Sequence, residues 1–295
     1  MSSASLKRRA DYRVAGSYRR AVRADSRVTL LGAAMDLVKP EEVLDLVGRR
    51  IAEGRRVIVA NHNLHSLYLA PRTPEMAALY RRADLIEVDS TPLTLWAKLI
   101  YGRGRRFHRS TYMDFRSLFW DLAEAQGWRV YYLGGRPGVV EAARDNLLAR
   151  WPRAVIGGRD GYFARGGEAE QSVLADIAAF APQVLLVGMG MPVQEAWIER
   201  WIERLPACAI LPVGAAFDYE AGVVPTPPSW TGRLGLEWLW RLAAEPRRMA
   251  GRYLVEPWTL VGPALADLVR RGELRRHHAA RPISSPGAPR TAPRG

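Results

Sequence analysis

The chain carries short apolar runs that alternate with longer stretches in which apolar residues recur three and four positions apart. The short runs are Val28-Thr29-Leu30-Leu31, Arg56-Val57-Ile58-Val59-Ala60, Leu85-Ile86-Glu87-Val88, Arg129-Val130-Tyr131-Tyr132-Leu133, Val155-Ile156, Val184-Leu185-Leu186-Val187 and Ala209-Ile210-Leu211. Runs this short, rich in β-branched and aromatic residues and mostly continuous rather than alternating, predict strands buried on both faces. The intervening stretches predict helices from Pro40 to about Glu53, over 74–82, near 92–100 and 112–125, from Pro137 to about Arg150, and over 168–180 and 193–204. Proline near the start of several of them fits the first helical turn, where its missing N–H leaves nothing unpaired. Alternation of this kind predicts an α/β fold: a mostly parallel, Rossmann-like sheet flanked by helices. Ligands are then expected at the carboxyl ends of the strands.

The pattern breaks after Ala221. Pro225-Thr226-Pro227-Pro228-Ser229-Trp230 reads as a stiff turn segment, and helices are predicted near 233–244, 246–254 and 258–271, carrying Trp238, Trp240 and Trp258. Four parts follow: a basic extension over 1–27, an α/β core over 28–232, a helical appendage over 233–276 and a tail over 277–295. The tail holds four prolines, three arginines and no acid, a composition that predicts disorder.

Composition narrows the class. Of 295 residues 48% are hydrophobic and 25% charged, enough for a sizeable core. One cysteine, Cys208, excludes an intramolecular disulfide, and no Cys/His set has zinc spacing, so a reducing compartment is expected. The N-terminus lacks the apolar stretch of a secretory signal, and no apolar run approaches the roughly 18 residues of a membrane span. The net charge of +13 is uneven. Residues 1–27 carry eight basic and two acidic side chains and residues 233–295 twelve and five, while residues 28–232 hold 23 of each sign. A neutral body with two basic ends disfavours a nucleic-acid-binding core and suits an anionic membrane surface or a phosphorylated substrate.

The candidate chemistry falls where strands end. Asn61-His62-Asn63-Leu64-His65 follows one strand; its polar groups suit a sugar or phosphate, or Asn63 merely caps a helix. Asp89-Ser90-Thr91-Pro92 follows another, where a carboxylate can serve as a general base or as a cap. Gly134 and Gly135 let a phosphate approach the next helix N-terminus, though the dinucleotide spacing G-x-G-x-x-G is absent, which counts against a dinucleotide-dependent oxidoreductase. Gly188 and Gly190 line a hollow in which Gln194 and Glu195, in the following helix's first turn, can reach a ligand. In the appendage, Arg241, Arg247, Arg248 and Arg252 suit bidentate phosphate contacts or a solvated helix face. No Asp-x-Asp pair or clustered His/Cys set is present in the neutral body, so neither a metal nor an organic cofactor is expected.

Four of these segments, in order, resemble the motifs of the WecG/TagA/CpsF family of glycosyltransferases over about residues 28–258. They are Gly161-Tyr162-Phe163; Gly188–Glu195 in a Gly-x-Gly-x-Pro-x-Gln-Glu pattern with Trp197; the Gly214/Asp218/Gly222 region; and Glu237-Trp238 through Arg241 to Glu245-Pro246-x-Arg248. The resemblance implies inverting, metal-independent transfer from a UDP-sugar to a polyprenyl-diphosphate-linked sugar. It casts Asp89 as base and Gln194 as a functional glutamine. Asn61, Gly134, Gly135, Gly188, Gly190 and Glu195 join Gln194 on the donor, while Asn63, His65, Arg241, Arg248 and Arg252 serve the acceptor and its diphosphate.

Departures from the family pattern sharpen the expectation. Asn61 stands where the family has threonine, Ser90 follows Asp89 in place of glycine, Phe107-His108-Arg109-Ser110-Thr111 replaces Glu-Arg-x-x-Gly, and Thr226 replaces an arginine. These are similar to the branch serving xanthan- and acetan-type exopolysaccharides, which adds β-1,4-glucose to glucosyl-diphosphoprenol. The alternative is transfer of N-acetylmannosamine or a uronate to an N-acetylglucosaminyl-diphospholipid. Peripheral attachment to the inner face of a bacterial membrane is expected, and both a monomer and a homo-oligomer are compatible with the sequence.

Overall fold

The computed structural model describes residues 26–224, 239, 242 and 246–279, without the side chains of 248 and 272–279. Strands β1 (Arg27–Leu30) and β2 (Ala33–Asp36) form an antiparallel hairpin. Six more strands follow: β3 (Val57–His62), β4 (Leu85–Val88), β5 (Arg129–Gly134), β6 (Val155–Arg159), β7 (Val184–Gly188) and β8 (Ala209–Pro212). They make one sheet in the order β4-β3-β8-β7-β5-β6, every neighbouring pair parallel. The α/β reading of the sequence is what the chain adopts.

The helices between them are α1 (Pro40–Ala52), α2 (Leu64–Leu69), α3 (Pro74–Arg82), α4 (Thr91–Tyr101), α5 (Tyr112–Gln126), α6 (Val139–Leu148), α7 (Glu168–Phe180), α8 (Val193–Trp201) and α9 (Ala216–Glu220). Strand side chains alternate between two cores because successive residues point to opposite faces. Tyr131, Leu133, Leu185, Val187 and Ile210 join one core with apolar residues of α3, α4, α7 and α8. Val130, Tyr132, Leu186 and Leu211 join the other with α1, α5, α6 and α9. The chain therefore leaves β5 by one face and its neighbour β7 by the other. Such a point opens a crevice at the strands' carboxyl ends, where ligands of open α/β sheets bind.

The hairpin covers the β4 edge. The buried Asp36 carboxylate accepts Ile86 N–H at 2.9 Å and two bonds from the Arg27 guanidinium at 2.7 and 2.9 Å, so that edge of the sheet is partly satisfied from outside it. The sequence reading found β1 and missed β2. The turn joining them places Leu31 (φ 51°) and Gly32 (φ 83°) in the left-handed region, and leucine gives no turn signal. Its strain is held by tertiary contacts: the Leu31 side chain packs on the core and its N–H donates to Asp267 at 2.7 Å. The helix expected to open at Pro137 starts at Val139 instead, because Gly138 (φ 86°) completes a left-handed turn first.

The C-terminal segment is helical throughout its described length. It runs through α10 (Pro246–Ala250), a π-helical turn (Gly251–Val255), a 3₁₀ turn (Glu256–Leu260) and α11 (Val261–Ala279). The expected helix over 233–244 lies outside the described residues apart from 239 and 242, and the tail reading lies outside them beyond Ala279. This segment is welded to the core. Leu260 is buried with the core residues, and Asp267, only 1% exposed, accepts both Leu31 N–H and the Trp96 indole N–H, the latter at 3.0 Å. Asp267→Ala is expected to lower stability by about 2–4 kcal/mol, because two donors lose a buried acceptor. Urea denaturation measures it; a loss below about 0.5 kcal/mol would show that water replaces the carboxylate.

Candidate active site

Because the sheet is all parallel, its carboxyl ends form one row. Read along it stand Asp89 after β4, Asn61 to Asn63 at the end of β3, Val213 and Gly214 after β8, Gly188 to Gly190 at β7, Gly134 and Gly135 at β5, and Asp160 and Gly161 after β6. Every strand-end residue singled out in the sequence lies on this row.

At one end are Asp89 and Asn63. Asp89 is half-buried, and its backbone N–H donates to the His62 carbonyl at 2.8 Å, which pins the β4 end to β3. Asn63 does two things: its Oδ1 caps α2 by accepting Ser66 N–H at 3.0 Å, and its Nδ2 lies 3.5 Å from Asp89 Oδ2. The cap and the functional alternative are thus compatible, since each uses a different end of the amide. A carboxylate steadied in this way and still partly open to solvent is placed to take a proton from a hydroxyl.

Asn61 is used internally. Its Nδ2 donates to the Pro212 carbonyl at 2.8 Å, and its own carbonyl accepts from Tyr80 Oη at 2.8 Å. Tyr80 stacks on His62, ring centroids 4.1 Å apart, and its hydroxyl is pushed far up by burial and by the Glu195 and Asp89 carboxylates. His62 is neutral, its pKa pushed down to about 3 by burial, and bonds Ser66 Oγ at 2.8 Å.

At the centre of the row the backbones of three strands converge. A Cβ on Gly188 would strike the Tyr132 hydroxyl and the Gly214 carbonyl, and one on Gly134 would strike the Gly188 carbonyl. Gly135 N–H donates to that same carbonyl at 3.2 Å. The buried Gln194 ties the neighbouring turns together: its Oε1 accepts Gly190 N–H at 3.1 Å and Gly214 N–H at 3.2 Å. Its Nε2 donates to Glu195 Oε1 at 2.7 Å, which fixes the orientation of the amide. In this geometry Gln194 spends its polar groups on the Gly190 and Gly214 turns and on Glu195. Gln194→Ala is expected to cost about 2 kcal/mol, since two backbone donors lose their acceptor. Chemical denaturation measures it, and an unchanged midpoint would mean the turns hold themselves.

Two buried carboxyls stand near the row. Glu195 is 1% exposed and pushed up to about 7 by burial, with its Oε2 unpartnered. Glu87 in β4 is pushed up to about 8, chiefly by burial, and accepts from the Ser110 hydroxyl. The sequence reading passed over Glu87, although an acid inside an apolar strand run was the available signal. The folded state keeps these groups protonated where the unfolded chain ionises them. For these two groups the folded state therefore binds more protons between about pH 4.5 and pH 8, and their contribution to stability falls as pH rises through that window, while His62, held neutral, acts in the opposite sense below about pH 6.5. Glu87→Gln, which keeps the acceptor for Ser110, is expected to remove on the order of 3 kcal/mol of this loss between pH 5 and pH 8.5. Urea titrations at the two pH values decide it; an unchanged slope would place the ionised form of Glu87 in the folded protein.

The acceptor-side residues are more scattered. His65 Nδ1 is 2.6 Å from Glu256 Oε2 in the 3₁₀ turn, joining the site to the C-terminal segment. Burial lowers the pKa of His65 against the pull of Glu256, and Arg252 lowers it further, which places Arg252 near the same junction. Arg248 lies in α10, and Arg241 lies outside the described residues. Among the described residues no three His, Cys, Asp or Glu side chains converge as a metal-ligand set.

A parallel sheet with closely packed glycine turns at its crossover and a carboxylate farther along the same edge is the arrangement of an open α/β fold, whose ligands bind across the strand ends. The family comparison specifies which. The model of the glycosyl transferase WecG/TagA/CpsF family matches residues 28–274, and the chain belongs to that family. Membership makes it a glycosyltransferase with a sugar-nucleotide donor and a lipid-linked sugar acceptor.

Proposed function

We propose that the protein moves glucose from UDP-glucose to glucosyl-diphosphoprenol during exopolysaccharide repeat-unit assembly, with inversion and without a metal. The observation that carries the mechanism is the placement of Asp89 and Asn63 on the same row as the Gly134/Gly188/Gly214 hollow. The donor's diphosphate would lie at the glycine turns after β5 and β7, which lead into α6 and α8 and so to the positive ends of two helix dipoles. Asp89 would take the proton of the acceptor hydroxyl as that oxygen attacks the anomeric carbon from the face opposite UDP. Charge developing on UDP would be met by those helix ends and by arginine, in the manner of preorganised electrostatic stabilisation. Glucose rather than N-acetylmannosamine or a uronate is favoured by the departures at Asn61, Ser90, His108 and Thr226.

The acceptor is lipid-linked, and no helix among the described residues is long and apolar enough to cross a membrane. Attachment at the inner face of the bacterial cell membrane would use the C-terminal segment, where Leu254, Val255 and Trp258 are exposed beside Arg247 and Arg252.

Asp89→Asn is expected to lower kcat by about 10²–10⁴ while leaving UDP affinity within a few-fold, because only the proton acceptor is removed. Single-turnover assays paired with UDP calorimetry test this, and a variant retaining more than half the wild-type rate would remove Asp89 as the base. Product analysis with UDP-glucose, UDP-N-acetylmannosamine and UDP-glucuronate on short-chain glucosyl- and N-acetylglucosaminyl-diphospholipids decides between the two sugar readings.

A further inference from the structure

The body over 28–232 is neutral in sum, yet the segment that follows Asp89 is not. From Ser90 to Met113 there are five basic side chains, Lys98, Arg103, Arg105, Arg106 and Arg109, and no acidic one. Lys98, Arg103, Arg105 and Arg106 are exposed. Interleaved with them are apolar side chains turned outward: Leu95 is 61% exposed, Leu99 42% and Phe107 51%. Leu95 and Leu99 are four apart on α4 and share a face, and Lys39 stands 5.1 Å over the Phe107 ring. Arg109 is paired with Asp114 at 3.1 Å, and Glu42, whose carboxylate accepts Lys39 N–H at 2.8 Å, has a field that reaches His108.

Two hydrogen bonds fix this surface in place beside β4. Helix α4 begins two residues after Asp89, and the loop after it returns to β4 where Ser110 N–H donates to the Val88 carbonyl at 3.0 Å. On its other side α4 is bonded to α11 through Trp96 and Asp267, and α11 exposes Leu265, Leu268 and Val269.

We infer that the exposed face of α4 and the Arg103–Phe107 loop together form a docking surface for an anionic lipid bilayer, built on the core beside Asp89 and independent of the appendage arginines. The occupant follows from the chemistry: apolar side chains set among the exposed cations Lys98, Arg103, Arg105 and Arg106 match a headgroup boundary, with the rings and leucines below the charge. A protein partner of this face would have to meet the same cations with acids. The inference rests on the proposed lipid-diphosphate acceptor, because it would set the distance of Asp89 from the plane in which that acceptor sits.

The test uses the full chain with two surface variants, Leu95→Glu/Leu99→Glu and Arg103→Gln/Arg105→Gln/Arg106→Gln. Flotation is measured with equimolar phosphatidylcholine–phosphatidylglycerol vesicles, with phosphatidylcholine alone, and at low and high salt. Each variant is expected to bind the anionic vesicles about a hundredfold more weakly, from three surface cations at the usual strength or from the lost apolar face. Melting transition, UDP affinity and transfer to a water-soluble short-chain acceptor should stay at wild-type levels. Wild-type vesicle binding in both variants overturns the inference. So does a monomer–dimer shift by sedimentation in the leucine variant with vesicle binding intact, which would assign the face to a second copy. The vesicle assay contains no sugar substrate, so failure of wild-type protein to transfer to any lipid-diphosphate acceptor would refute the proposed function without touching this surface.

Discussion

At the carboxyl ends of β5, β7 and β8 the backbones approach more closely than side chains permit, and the site is built on that approach. Gly134 meets the Gly188 carbonyl, and Gly188 meets Tyr132 and Gly214. Tyr132 makes this contact from below. It is buried, stacks on Phe217 at 3.8 Å, and lies with its hydroxyl 3.3 Å from the Gly214 carbonyl. The sheet order follows from the same requirement, since these strands must be neighbours for the turns to meet. Gln194 completes the arrangement by joining the two turns through one amide oxygen.

The other end of the row follows a different logic. Around Asp89 the chain places side chains that share their hydrogen-bonding groups between structure and chemistry. Asn63 caps a helix with its oxygen and offers its nitrogen to the carboxylate, so the cap aims the amide at no added conformational cost. Glu87, two residues before Asp89, has its pKa pushed up to about 8, chiefly by burial.

The C-terminal segment connects this edge to the molecule's surface. Its attachment through Asp267 and Glu256 uses buried or half-buried carboxylates and reaches three elements, the β1–β2 turn, α2 and α4. A unit held at such points moves with the core. The family's acceptor is lipid-linked, and this segment, fixed to the helices that follow β3 and β4, also carries exposed Leu254, Val255 and Trp258.

Much of this was written in the residue pattern. Continuous apolar runs separated by amphipathic helices determined the parallel α/β sheet, because a strand buried on both faces has no other economical composition. Glycine and polar residues placed just after those runs marked Asp89, Asn63, Gly134 and Gly188, because strand ends are where a parallel sheet exposes its chemistry. The tertiary structure decided what each group bonds. Asn61 is 151 residues from Pro212, Trp96 is 171 from Asp267 and His65 is 191 from Glu256, and no local pattern encodes such pairs. The Leu31 turn went unread for the same reason: its strain is relieved by a carboxylate from the far end of the chain. Local sequence sets backbone preference and burial period; which polar atoms meet is set by strand order and helix docking, and these depend on the whole core at once.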